Sequence, residues 1–196
     1  MTIMPAFHNW PAEAAIISRL LGYYGELEFM MGICLGHALS DRRKALKVLF
    51  RTRGETPRIN LADALTKDAA AKDGLASNYA DALGGIRQCL STRNRFSHCH
   101  WASLYGKGLF YVDLNKAAAA GEKFEYGWKQ ASLPWLEEWE SYFKFAHDCF
   151  LHVEHQMNAN RGGPKSIAFP MPAKRQPPPE LDPLAQDILG LLPSGP

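Results

Sequence analysis

No stretch of this 196-residue chain reaches the roughly 18 consecutive apolar residues that a membrane-spanning helix needs, and its most hydrophobic helical candidate is interrupted by Arg19, Glu26 and Glu28. No membrane partner is expected. The opening residues, MTIMPAFHNWPAEAA, lack the basic stretch and apolar run of a secretory signal. Cysteine is sparse: Cys34, Cys89, Cys99 and Cys149 lie far apart without a Cys-x-x-Cys pair. That spacing excludes a disulfide scaffold and makes a reducing cytoplasm the simplest compartment. An excess of one charge is missing too, because 22 Lys plus Arg against 20 Asp plus Glu leave a formal +2. Global basicity therefore does not by itself point to nucleic acid. No internal repeat is visible.

What is present is an ordinary globular composition, 46% hydrophobic and 21% charged, enough for one domain and a modest appendage. From Pro11 to about Leu39 the residues Ile17, Leu20, Tyr24, Leu27, Met31, Cys34 and Ala38 recur in steps of three and four, the seam of a long helix. Ser40 and Asp41 offer caps for a second helix, about 41–52. Thr56 and Pro57 start a third that reaches about Lys72, and Gly74 closes it. A fourth, about 77–99, carries Tyr79, Ala82, Leu83, Ile86, Cys89 and Leu90, and its Gly84-Gly85 pair admits close approach of a neighbour. Aromatic and β-branched runs around Tyr105-Gly106-Lys107-Gly108 predict a β-hairpin over about 100–114, and the alanine- and lysine-rich 115–130 reads as a loop with a frayed turn. The best-patterned helix begins near Ser132, with Leu136, Trp139, Phe143, Ala146, Phe150, Val153 and Met157 as its seam. The last 38 residues hold nine of the thirteen prolines and read as a mobile or loosely docked tail, 159–196, with a short helix possible over 182–192.

The segment that suggests chemistry is Arg93-Asn94-Arg95-Phe96-Ser97-His98, at the end of the fourth helix. Arg93 lies three, four and seven beyond Leu90, Cys89 and Ile86, so it shares their apolar face. An inward guanidinium needs an acid, a helix C-terminus, a subunit cleft or an anionic ligand. Glu26 or Glu28 could supply the acid. Asn94 and His98 are four apart, a spacing at which the amide can orient the imidazole. The alternative is structural, a salt-bridge arginine and a histidine favoured by the helix dipole.

This arrangement resembles the HEPN superfamily, whose signature is Arg, then four to six residues, then His, often with Asn directly after the Arg. The resemblance covers about residues 11–158 and implies a mainly α, up-and-down bundle of four to five helices with a small hairpin before the last long one. It further implies a metal-independent endoribonuclease of a toxin/antitoxin or phage-defence type, acting as a homodimer whose two motifs meet in one cleft, without a cofactor. An antitoxin or nucleotidyltransferase-like partner is a family association, and some members are non-catalytic binding or dimerisation modules. The residue chemistry agrees: attack of a ribose 2′-OH on the adjacent phosphate needs proton transfer near neutral pH, which an imidazole supplies, and charge stabilisation, which a guanidinium fork supplies. Arg93, Asn94 and His98 are thus the catalytic candidates. Arg95 and His100 repeat the spacing with Phe96 in place of Asn, and are candidates for RNA contact.

A basic face, Arg42, Arg43, Lys44, Lys47, Arg51, Arg53 and Arg58 against Asp41 and Glu55, could lie along a phosphate backbone, with Arg42, Arg43, Lys47 and Arg51 as contacts; a solvated helix face is the alternative. Phe96, Trp101, Tyr105, Phe110, Tyr111 and Trp128 could stack on bases or close a core. His147, Cys149, His152 and His155 crowd the last helix, but they meet no recognised ligand spacing and Cys149 falls on the apolar seam, so no metal is expected.

Overall fold

A computed structural model of the protein describes residues 5–104, 106–119, 127–163 and 169–183. Among these the chain runs α1 (Pro5–Asn9), α2 (Pro11–Leu39), α3 (Arg42–Arg51), α4 (Glu55–Lys72), α5 (Ala76–Ser97), β1 (Cys99–Leu104), β2 (Gly108–Asp113), α6 (Leu114–Ala119), β3 (Lys129–Gln130) and α7 (Leu133–Asn160). The fold is mainly α, with a small antiparallel sheet inserted before the last long helix. No described helix is long and apolar enough to cross a membrane. The expected helix over 182–192 lies almost wholly outside the described residues.

The local chemistry sets the helix ends. Pro11 opens α2, where its missing N–H costs nothing. Ser40 ends α2 in the left-handed region, at φ 52°, and the amide of Asp41 returns to the Gly36 carbonyl at 3.1 Å. The Asp41 carboxylate then accepts from the Lys44 amide at 2.8 Å and caps α3. The α7 seam is buried along its whole length, from Leu136 to Met157.

The described chain divides into two compact units. One draws on Met1–Leu21, Thr92–Glu140 and Pro177–Pro196 and contains the sheet, ordered β1-β2-β3. Cys99 pairs with Asp113 and Leu104 with Gly108 in the hairpin, while Phe110 and Tyr111 face Gln130 and Lys129 across to β3. Side chains alternate across β2, and both faces are covered. On one face Tyr111 meets Phe96, Trp101 and Trp135, with ring centroids 5.3–6.2 Å apart. On the other, Phe110 and Val112 cluster with Ala102, Ala117 and Trp128. The described aromatics that could have stacked on bases, Phe96, Trp101, Phe110, Tyr111 and Trp128, are therefore core.

Two features refine the expectation of a loop with a frayed turn over 115–130. The Asp113 carboxylate accepts from the amides of Asn115 and Lys116 and starts α6. Lys129 and Gln130 add a third strand. Two residues are too few to show a period of two, so only pairing with β2 defines that strand. Helices α1 and α6, of five and six residues, are likewise additional to the four or five long helices read from periodicity.

The other unit draws on Gly22–Ser91 and Ser141–Gln176. Its core includes Leu27, Met31, Leu35, Leu49, Ile59, Ile86, Phe143 and Phe150. Glu28 is nearly buried and pairs with Arg58, whose Nη1 donates to both carboxylate oxygens at 3.1 and 3.2 Å. Arg58, at the start of α4, is thus a partner of this acid. In the same unit α5 and α7 meet closely at Gly85, where an added Cβ would fall 2.9 Å from the Ala146 Cβ and 3.3 Å from its Cα. Gly84 has nothing within 4 Å. Gly85→Ala is expected to destabilise by about 1 kcal/mol, an overpacking cost of about 1–3 kcal/mol outweighing a helix-propensity gain of about 0.5–1. Gly84→Ala keeps the gain without the clash, so thermal unfolding midpoints should move in opposite directions.

Candidate functional site

The end of α5 is built by its last two turns. Leu90, Thr92 and Phe96 turn inward, and Phe96 anchors the terminus against Trp101 and Trp135. Between them Arg93 and Asn94 are half-buried and Arg95 more deeply so, while Ser97 and His98 are exposed. The helix closes on its own backbone: the His98 amide donates to the carbonyls of Asn94 and Arg95, each at 3.2 Å, and the Ser97 hydroxyl to Asn94 O at 3.0 Å. His98 therefore sits in the turn beyond α5, with its imidazole in solvent.

The three catalytic candidates lie at one helix end, and their internal bonding differs from the expected one. Arg93 Nη1 donates to Asn94 Oδ1 at 2.9 Å. The amide is engaged by its charged neighbour rather than by the imidazole, and a cationic donor makes the stronger hydrogen bond.

Arg95 and His100 have other surroundings. The Arg95 side chain is 10% exposed, and its Nη2 donates to the Glu180 carboxylate at 2.9 Å. His100 meets Trp128 edge-on at 5.7 Å. Arg93, Asn94, Arg95, His98 and His100 all belong to the unit that holds the sheet; Arg42, Arg43, Lys47 and Arg51 belong to the other. There Ala45 and Leu49 bury one side of α3, and Arg43, Lys47 and Arg51, at successive steps of four, form an exposed stripe. Arg42 is exposed, with its guanidinium 5.7 Å from the centre of the Phe29 ring.

Two groupings were not visible in the sequence. Arg95 and Lys116 hold the carboxylate of Glu180, which follows Pro177-Pro178-Pro179 in the tail, and the charge of Lys129 acts on the same group. Trp135 Nε1 donates to the Pro179 carbonyl at 3.0 Å. The described part of the tail is thus docked at this point, as it is where the Phe169 carbonyl lies 2.6 Å from His152 Nδ1 and its ring packs on His155. The second grouping lines a cavity of about 540 Å³, which includes His37, Arg42, Glu154, Asn158 and Arg161. His37 Nε2 lies 3.0 Å from Glu154 Oε1. That hydrogen bond, aided by the charges of His155, His37 and Arg42 and opposed by burial, holds the Glu154 carboxyl below its ordinary range.

A carboxyl with a depressed folded-state pKa adds stability that is complete above the unfolded value, near 4.5, and is lost as pH falls through the folded value. Glu154→Gln is therefore expected to flatten the acid limb of a stability-against-pH curve below that value; an unchanged limb would place the acid sensitivity elsewhere.

Among the described residues no group of three or more His, Cys, Asp and Glu is arranged to hold a metal ion. Burial pushes the thiol of Cys99, beside the motif, up to about 12, with Asp113 adding to the effect and Arg95 and Lys129 opposing it, so it is a poor nucleophile at neutral pH. Compared with family models, curated proteins and solved structures, the chain matches none.

Proposed function

We propose that the protein is a metal-independent endoribonuclease, acting as a homodimer in which two α5 termini face one cleft, in a toxin/antitoxin or phage-defence setting. One observation carries this reading: a solvent-exposed imidazole, His98, stands one turn beyond a half-buried guanidinium and amide, Arg93 and Asn94, that hydrogen-bond each other. The arrangement matches the roles implied by the Arg-Asn-x-x-x-His resemblance to the HEPN superfamily.

In this reaction the ribose 2′ oxygen bonds to phosphorus as its proton passes to the His98 imidazole, and the bond from phosphorus to the 5′ oxygen breaks. The departing oxygen takes a proton from solvent or from the second imidazole of the cleft, leaving a 2′,3′-cyclic phosphate and a 5′-hydroxyl. Arg93 offers fixed donors to the phosphoryl oxygens, and its contact with Asn94 pre-sets the fork. Arg43, Lys47 and Arg51 would hold the RNA backbone through charge, and binding would weaken with salt.

The test is incubation of the purified chain with transfer RNA and total RNA in EDTA, with end-group analysis of the products and sedimentation at micromolar concentration. Cyclic-phosphate ends from a dimer support the reading. Cleavage abolished by EDTA, or a folded dimer without cleavage, overturns it. The second reading, a non-catalytic binding or dimerisation module, draws on the engagement of Asn94 by Arg93 instead of by His98.

A further inference from the structure

We propose that Arg95, Lys116 and Lys129 form a binding site for a phosphate monoester, and that Glu180 of the chain's own tail occupies it as a tethered competitor. Glu180 Oε1 accepts from Arg95 Nη2 at 2.9 Å and from Lys116 Nζ at 3.0 Å, and Oε2 accepts from Lys116 Nζ at 3.1 Å. Lys129 adds its charge to the same carboxylate. This site is separate from His98 and does not depend on the nuclease reading.

Three observations point to an anion beyond the carboxylate. First, the Arg95 side chain is nine-tenths buried, with its guanidinium held between the buried Tyr111 hydroxyl and the Glu180 carboxylate. A guanidinium fixed in this way presents a charge-assisted donor to the tail that a phosphate oxygen can take as a carboxylate oxygen does. Second, the charge does not balance. The other acid acting on Lys129 is Asp113, whose carboxylate is spent on the amides of Asn115 and Lys116. With Glu180 lifted away, the three cations and Asp113 leave two positive charges in excess, the complement of a phosphate monoester, which carries about −1.5 to −2 at neutral pH. Burial lowers the Lys129 pKa, the charges of Lys116 and Arg95 lower it further, and Glu180 raises it, as expected of a cation cluster that needs an anion.

Third, the occupant is loosely held. Glu180 and Lys116 are both more than half exposed, in the regime where an ion pair is weak and salt-screened. The triple proline before Glu180 stiffens the segment, which lowers the cost of presenting the carboxylate but adds no side-chain donor of its own.

The experiment is calorimetric titration of the full chain with inorganic phosphate, a nucleoside monophosphate and the matching nucleoside. Glu180→Gln is expected to tighten phosphate binding about tenfold, the factor removed when a site open about one-tenth of the time becomes open throughout. Adding Lys116→Gln to Glu180→Gln should abolish the gain; both positions are exposed, so the variants should fold. Tighter binding of the nucleoside monophosphate than of phosphate would identify a nucleotide as the source, and the reverse order free phosphate; both support the site. Equal weak binding by wild type and Glu180→Gln, a gain that survives Lys116→Gln, or equal binding of the nucleoside and its monophosphate would overturn it. RNA cleavage can succeed or fail independently of each result.

Discussion

Replacing His98 by alanine is expected to lower RNA cleavage by about 10²–10⁴-fold, the usual contribution of one general acid–base group. Thermal unfolding should be unchanged. The ring is exposed, and it is the backbone amide of His98 that closes α5, a bond the variant keeps. Surface substitutions of this kind move stability by no more than about 0.5 kcal/mol. A histidine serving only the helix terminus would give the opposite pattern, with a shift in midpoint and no loss of cleavage. Arg93→Ala should also be inactive, and Arg93→Lys should recover only part of the rate, because an ammonium restores the charge but not the two-pronged donor geometry. Full cleavage by folded His98→Ala would remove the residue from the mechanism.

Arg58→Ala is expected to destabilise the protein by about 3 kcal/mol, the lower end of the cost of breaking a buried ion pair, since Arg58 keeps 22% of its side chain in solvent. The loss has several sources. Arg58 Nη1 holds both oxygens of Glu28, Nε donates to the Thr52 carbonyl at 2.9 Å beyond the end of α3, and the guanidinium lies 5.6 Å from the centre of the Phe50 ring. The largest is the Glu28 carboxylate, 9% exposed and left without this partner. A double variant, Glu28→Met with Arg58→Ala, should therefore regain much of the loss, and urea titrations with an unchanged denaturant slope would show it. If the double variant is no more stable than the single one, the packing of the guanidinium on Phe50 and its bond to Thr52 carry the effect instead.

The long helices were legible because their burial repeats locally. Each α7 seam residue from Leu136 to Met157 follows from steps of three and four, and the same holds for Ile17 to Cys34 in α2. Caps were equally local: Pro11 and Asp41 act within one turn of their own positions. The Gly84-Gly85 pair announced a close approach, but not which glycine makes it; that depended on where Ala146 falls on α7. The motif was legible as a spacing and a location at the end of α5. Its hydrogen bonding was not, because a four-residue spacing shows which side chains can meet and not which neighbour the amide takes, here Arg93.

Sequence alone thus determined the mainly α class, the hairpin, the principal helix boundaries and the position of Arg93, Asn94 and His98, since each rests on residues within a few positions of one another. Only the tertiary structure decided that Glu28 belongs to Arg58, that Lys129 and Gln130 complete a sheet, and that Arg95 is buried against Glu180, 85 residues away. Pairing between distant charges and strands is set by which surfaces the core brings together. No periodicity along the chain encodes that choice.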